Sequence, residues 1–295
     1  MARWDRPSAT QAPDWFWAAV ETPASEHRVE VEEVDVAYRT WGEPGKPGLL
    51  FIHGMNAHSR WWDFIAPQFL DDYCVAAMDL TGMGDSDYRY AYSPETFAAE
   101  IVGVLDDVGF DSSAKVVAHS FGGYMAVKAA SLHPTRTAAL VLVDSGIRHP
   151  DDPPPDRPSM GGRAKLYPDK ETALARFRLQ PPQPCANTYL VEYIARHSLM
   201  AADGGWAWKF DEDLPGSMQN FERLADDYRN LTVKLGVIYG ADSELFSART
   251  LEYMRELVPQ QFPAVALADA QHHLFLDQPE AFVVALKAML ADLSA

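Results

Sequence analysis

Val116-Val117-Ala118-His119-Ser120-Phe121-Gly122-Gly123 reads as a buried strand running into a sharp turn and then a helix, with one serine at the corner. Small residues flank that serine where a tight turn needs them. Ala118 stands two before it, Gly122 two after and Gly123 next, so neighbouring backbone can approach without a Cβ clash. Such a turn pushes the hydroxyl of Ser120 out of the sheet and aims the following N–H groups at the same space. A serine hydroxyl is a weak nucleophile near neutral pH, so chemistry here needs a general base and amide donors for the oxyanion. Taken alone, the octapeptide also fits an ordinary glycine-rich turn between strand and helix. What separates the two readings is the rest of the chain, which supplies a donor loop before Ser120 and an acid and a histidine after it.

Outward from this corner, short apolar runs alternate with amphipathic segments. Strands are expected at His27–Glu33, Val34–Trp41, Leu49–Ile52, Tyr73–Met78, Lys115–Ala118, Ala138–Val143, Val233–Tyr239 and Pro263–Leu267. The first two alternate polar and apolar residues, as a half-exposed antiparallel pair does. Leu49–Ile52 is apolar throughout, as in a strand covered on both faces. Helices are expected at Asp14–Glu21, Arg60–Leu70, Pro94–Val108, Phe121–Leu132, Ser247–Leu257 and Pro279–Leu293. The pattern predicts an α/β fold: a mostly parallel eight-stranded sheet with helices on both faces, its ligand beyond the carboxyl ends of the strands.

The alternation stops between Ile147 and Asn230. This stretch holds proline clusters (Pro153-Pro154-Pro155, Pro181-Pro182, Pro184), two or three short helical patterns and no strand run, and reads as an inserted helical lid. The domain expectation is a core of residues 1–146 and 231–295 with a lid at 147–230. The lid carries 11 basic and 13 acidic residues, so the acidic excess of the chain, −17 in all, lies mainly on the core. That charge repels phosphate backbones and anionic membranes, which argues against nucleic acid and membrane as partners. No apolar run approaches the roughly 18 residues of a membrane span, and the start does not pattern as a signal peptide. A cytoplasmic protein is expected. Cys74 and Cys185 show no metal spacing and are too few for a disulfide framework, so both are expected as free thiols.

His53-Gly54-Met55-Asn56 follows the third strand and resembles the oxyanion loop of α/β-hydrolases. Met78-Asp79-Leu80-Thr81-Gly82-Met83-Gly84-Asp85-Ser86 resembles that family's D-x-R-G-x-G-x-S turn, with Thr81 in place of Arg and Met83 in place of a frequent His. Gln271-His272-His273-Leu274-Phe275-Leu276-Asp277-Gln278-Pro279 resembles its terminal G-H-x-x-x-x-E-x-P motif, with Gln271 in place of Gly. On these residues the chain resembles the lid-bearing α/β-hydrolase superfamily over almost its full length. The likeness implies that the amides of Met55 and Phe121 hold an oxyanion and that His53 only braces its loop.

The family spacing puts the base seven residues before Pro279, at His272, with His273 turned away. A neutral imidazole there can take the serine proton and return it. Two acids compete to orient it. Most relatives carry the acid three residues after a glycine following the lid, where this chain has Ser243 and where Asp242 sits one residue early. A minority use an aspartate after the preceding strand, which is Asp144. Asp144 is preferred, since a one-residue slip turns a side chain away, and Asp242 is the alternative. Gly240-x-x-Ser243-x-Leu245-x-Ser247 resembles a pattern of the subgroup that includes (acetamidomethylene)succinate hydrolase, and Gly204–Asp211 resembles a Trp-rich segment of some bacterial esterase-like members. Asn56, His58, Trp61, Trp206 and Trp208 are candidate substrate-binding residues, with Trp62 a further one; packing competes for the tryptophans.

The resemblance implies a cofactor-independent serine hydrolase of small esters or lactones, with an amide or carbon–carbon bond hydrolase as runner-up. A non-catalytic receptor and a cofactor-free oxygenase are the competing classes. An Asp-nucleophile enzyme is disfavoured by Ser120. No metal set is expected, because His272-His273 lacks metal spacing and acidic partners, and activity should survive a chelator. The expected partner is a small-molecule substrate, and a homodimer is compatible with the sequence.

Overall fold

The computed structural model describes residues 12–152, 166–218 and 224–294. Pro153-Pro154-Pro155 and residues 1–11 lie outside the described residues.

The strands are β1 (Ser25–Val31), β2 (Val34–Trp41), β3 (Gly48–Ile52), β4 (Cys74–Met78), β5 (Lys115–His119), β6 (Ala139–Val143), β7 (Leu199–Ala202), β8 (Gly205–Trp208), β9 (Lys234–Gly240) and β10 (Ala264–Leu267). The helices are α1 (Asp14–Val20), α2 (Pro94–Asp107), α3 (Phe121–Leu132), α4 (Lys170–Leu174), α5 (Thr188–His197), α6 (Leu214–Ser217), α7 (Leu224–Arg229), α8 (Ala248–Leu257), α9 (Leu274–Asp277) and α10 (Pro279–Asp292). Eight strands form one sheet in the order β1-β2-β4-β3-β5-β6-β9-β10. β2 pairs antiparallel with both β1 and β4, and every other neighbouring pair is parallel.

Successive side chains of the central strands go to opposite cores. Leu50, Ile52, Val116, Ala118, Leu140 and Leu142 pack under α2, α3 and α8, whereas Leu49, Phe51, Val117, Val141 and Val143 pack under α1 and α10. β3, β4, β5 and β6 are buried along their whole length, which is why they are apolar but for the two ends of β5, Lys115, whose Nζ is bonded to the Tyr73 hydroxyl and the Leu290 carbonyl, and His119. Because β5 lies between β3 and β6, the loops after these three strands emerge side by side.

Three expectations need correction. Arg60–Leu70 is not one helix but two 3₁₀ turns, Ser59–Trp62 and Ala66–Phe69, since Pro67 near the start of the second cannot donate back into the first. β1 ends at Val31, because Glu32 and Glu33, both at positive φ, make a two-residue hairpin turn without glycine. The segment between β6 and β9 contains strands after all: β7 and β8 form an antiparallel hairpin in which Trp208 pairs with Leu199.

Candidate active site

At the end of β5, Ser120 adopts φ 50° and ψ −119°, a conformation that L residues avoid. Several contacts impose it. The Ser120 N–H donates to the Val143 carbonyl (3.0 Å), and its own carbonyl accepts from the Gly123 N–H (2.9 Å) and the Ser145 hydroxyl (2.7 Å). A Cβ on Gly122 would lie 2.2 Å from the His53 carbonyl oxygen, and one on Gly123 2.2 Å from Ser145 Oγ. Only glycines let α3 start this close to the loops after β3 and β6.

His272 Nε2 lies 2.9 Å from Ser120 Oγ, and His272 Nδ1 lies 2.7 Å from Asp144 Oδ2. The tautomer follows: Nδ1–H donates to the carboxylate, so Nε2 accepts from the serine hydroxyl. Asp144, also at positive φ, is buried and accepts further from the Gly240 N–H at Oδ1 (2.9 Å) and the Ser243 hydroxyl at Oδ2 (2.7 Å). A Cβ on Gly240 would strike the carbonyls of Ala270 and Gln271 at 2.4 and 2.3 Å. That glycine therefore lets the loop after β10 fold over the sheet and deliver His272. Asp242 is exposed, its N–H bonded to the Ala270 carbonyl, and does not share this network.

On the other side of Ser120, His53 braces its loop through the ring. Nδ1–H donates to the Gly54 carbonyl (2.7 Å) and Nε2 accepts from the Leu80 N–H (3.0 Å), an arrangement only the neutral imidazole can make. Burial holds this group below the usual imidazole range. A Cβ on Gly54 would come within 3.2 Å of the Ser120 Cβ, so the backbone before Met55 runs directly beside the serine. Asn56 sits at φ 56° and gives its N–H to Met83 Sδ (3.2 Å). Phe121 opens α3.

The turn after β4 is braced differently from the motif it resembles. Thr81, standing where arginine is usual, donates its N–H and hydroxyl to the fully buried Glu100 (3.0 and 2.5 Å), and Arg89 supplies the cation from eight residues downstream (3.0 Å). Asp79 accepts from the N–H groups of Ser59 and Asp85, and a Cβ on Gly84 would fall 2.3 Å from its carboxyl carbon. The turn then joins the segment inserted after β6. Gly84 N–H donates to Lys209 O, Asp211 N–H donates to Gly82 O, and Lys209 Nζ pairs with Asp85 (2.5 Å).

Three side chains expected to face substrate, His58, Trp61 and Trp62, are instead buried. His58 is 3% exposed, and its Nε2 lies 2.8 Å from Ser198 Oγ. Because Ser198 gives its own proton to the Ile194 carbonyl, His58 Nε2–H is the donor, and burial pushes its pKa well below the ordinary value. Trp61 is buried against His58, His273 and Phe275, and Trp62 is buried against Phe51 and Phe275. Trp208 packs on Tyr167 and Phe177, while Trp206 lies under the Lys170 ammonium, all within the inserted segment. Sequence reasoning did not select His119. It is buried, and its Nε2–H donates to the His272 carbonyl (3.0 Å), tying the loop of one site residue to the strand end of another. Its place immediately before Ser120 was the available signal.

The chain belongs to the α/β hydrolase family, whose model matches residues 49–286. It is 34% identical to Lipase LipV of Mycobacterium tuberculosis over 114 residues, 39% of this chain and 43% of the lipase. It is 26% identical to the pimeloyl-[acyl-carrier protein] methyl ester esterase of Klebsiella pneumoniae over 267 residues, 88% of this chain and 99% of the esterase. The match to the lipase thus spans less than half of that relative's length. The solved structure of E-2-(acetamidomethylene)succinate hydrolase superposes with TM-score 0.74 at 22% identity, covering 91% of this chain and all of the other, a likeness of fold. Among the described residues, no helix is long and apolar enough to cross a membrane.

Proposed function

We propose that this protein is a cofactor-independent serine hydrolase of small carboxylic esters or lactones. The observation that carries the reading is one unbroken line of hydrogen bonds, Ser120 to His272 Nε2 (2.9 Å) and His272 Nδ1 to Asp144 (2.7 Å). In this reading Ser120 Oγ attacks the carbonyl carbon as His272 Nε2 takes its proton. Asp144 holds the tautomer and stabilises the imidazolium, with Ser243 and Gly240 holding Asp144. The amides of Met55 and Phe121 receive the tetrahedral oxyanion, and His272 returns the proton to the leaving alkoxide. Water activated by the same imidazole then releases the acyl group.

In this reading segment 147–230 acts as a lid, anchored to the turn after β4 by the backbone pairing of Lys209 and Asp211 with Gly84 and Gly82. The esterase and lipase relatives support an ester substrate. A fluorophosphonate probe should label the wild type at Ser120, and Ser120→Ala should lose about four to six orders of magnitude in p-nitrophenyl ester turnover. An unlabelled, folded wild type together with a fully active Ser120→Ala would remove the mechanism.

An amide substrate is the second reading. It is favoured by the Gly240-x-x-Ser243-x-Leu245-x-Ser247 pattern, and a panel of acylamino acids against esters separates the two.

A further inference from the structure

Behind Ser120 the fold assembles a cluster that the spacing of His272 and His273 did not announce. His119, His272 and His273 are all buried, and one ring nitrogen from each lies within 4.8 Å of one from each of the others. The hydrogen bonds show which nitrogens carry lone pairs. His272 Nδ1–H is given to Asp144, so its lone pair is on Nε2, toward Ser120. His119 Nε2–H is given to the His272 carbonyl, so its lone pair is on Nδ1, which closely approaches Gly54. His119 and His272 each donate one ring N–H, to a carbonyl and to a carboxylate, and carry a lone pair on the other nitrogen, which is how metal-ligating histidines are oriented. His273, 3% exposed, lies against the other two; no side chain among the described residues hydrogen-bonds either of its ring nitrogens, and the Gln180 backbone is the polar group beside its ring. Around it are His119, His272 and the apolar edge of Trp61.

We propose that His119, His272 and His273 form a binding site for a divalent transition-metal ion that prefers imidazole nitrogen, such as Zn²⁺ or Co²⁺, and that its occupancy switches the enzyme off. Bonds of about 2.0–2.1 Å to three nitrogens are shorter than the present spacing allows, so binding requires the three rings to close on the ion. An ion on His272 Nε2 takes the lone pair that would accept the Ser120 proton, so the nucleophile loses its base. The loss of activity rests on the serine-hydrolase reading; the binding rests on the histidine geometry alone.

The two are tested separately. Co²⁺ titration of the wild type should give a saturable visible absorption of tetrahedral type at one equivalent, displaced by Zn²⁺. Ser120→Ala should bind equally while being inactive. His273→Asn and, as a second substitution, His273→Phe should weaken Co²⁺ binding at least tenfold. Either one, if folded by circular dichroism, should keep ester turnover within threefold of wild type and raise the Zn²⁺ concentration for half-inhibition at least tenfold, with chelator restoring activity in the wild type. No cobalt band in the wild type, or unchanged affinity in both His273 variants, overturns the site. Cobalt binding without any ester hydrolysis keeps the site and overturns the function proposed above.

Discussion

A serine held at φ 50° and ψ −119° works against its own backbone preference by about 1–3 kcal/mol, and its neighbours have to hold it there. Gly122 is the most exacting of them. Gly122→Ala puts a methyl 2.2 Å from the His53 carbonyl, and since backbone has to give way, an unfolding free energy lower by about 2–4 kcal/mol is expected in urea titrations. A loss under about half a kcal/mol would mean the two loops are not packed as described. For the acid, Asp144→Asn should lower kcat by about three to four orders of magnitude with little change in KM, because the imidazole loses the partner that fixes its tautomer. Asp242→Asn, exposed and outside the network, should stay within about twofold. Near-full turnover in Asp144→Asn with collapse in Asp242→Asn would reverse the assignment. Ser120 was legible because a turn flanked by small side chains is a local pattern, and His272 because the family motif that the chain resembles sets a histidine seven residues before Pro279. The acid was less so. Asp144 and Asp242 lie near the ends of adjacent strands, and only their orientation in space separates them.

Among the elements, the most consequential junction is at Asp63, where three pieces of chain meet. Its carboxylate is 4% exposed and accepts two bonds from Arg39 of β2 (2.5 and 2.6 Å) and one from the Tyr193 hydroxyl of α5 (2.5 Å). Tyr193→Phe removes one bond and leaves the carboxylate paired, so a loss of about 1–2 kcal/mol is expected. Asp63→Ala leaves a mostly buried guanidinium without its carboxylate, and about 3–5 kcal/mol is expected. Chemical denaturation of both variants checks the order; equal losses would show that the pairing with Arg39 is not what matters. The elements that sequence reading misplaced each have their own cause. Ser59–Phe69 has helical composition, but Pro67 within its second turn removes a backbone donor. Glu32-Glu33 lacks the usual glycine, and its turn is set by the register of β1 against β2. The β7–β8 hairpin is held by pairing within the inserted segment, with Tyr167 bonded to Trp206 through both backbone groups, and short strands of that kind leave little trace in a polarity pattern.

For the molecule as a whole, buried neutral histidines make the fold acid-sensitive. His53 and His58 are lowered chiefly by burial; Asp79 and the Gly54 carbonyl partly offset this at His53, whereas His197, His53, Lys209 and Arg60 add to it at His58. An imidazole in the unfolded chain titrates near pH 6.5, so both contribute their full stability above that value and lose it as pH falls below it. The slope is about 1 kcal/mol per pH unit for each. His119, His197 and His273 are lowered chiefly by burial as well, so stability in urea should drop by about 5 kcal/mol between pH 6.5 and 5.5, and His58→Gln should remove about a fifth of that slope. A flat profile across this range would contradict the burial argument. The amino-acid sequence by itself determined the strand and helix alternation, the mostly parallel sheet and the corner at Ser120. These depend on periodicity and on glycine positions, which act over a few residues. Only the tertiary structure decided which carboxylate meets His272, that the tryptophans at 206 and 208 pack on Tyr167, Phe177 and Lys170, and that three histidines share one buried space. The first and last depend on which loops a twisted sheet brings together across more than a hundred residues of chain, and the second on contacts some 31 to 41 residues apart inside the inserted segment, distances over which no local pattern carries information.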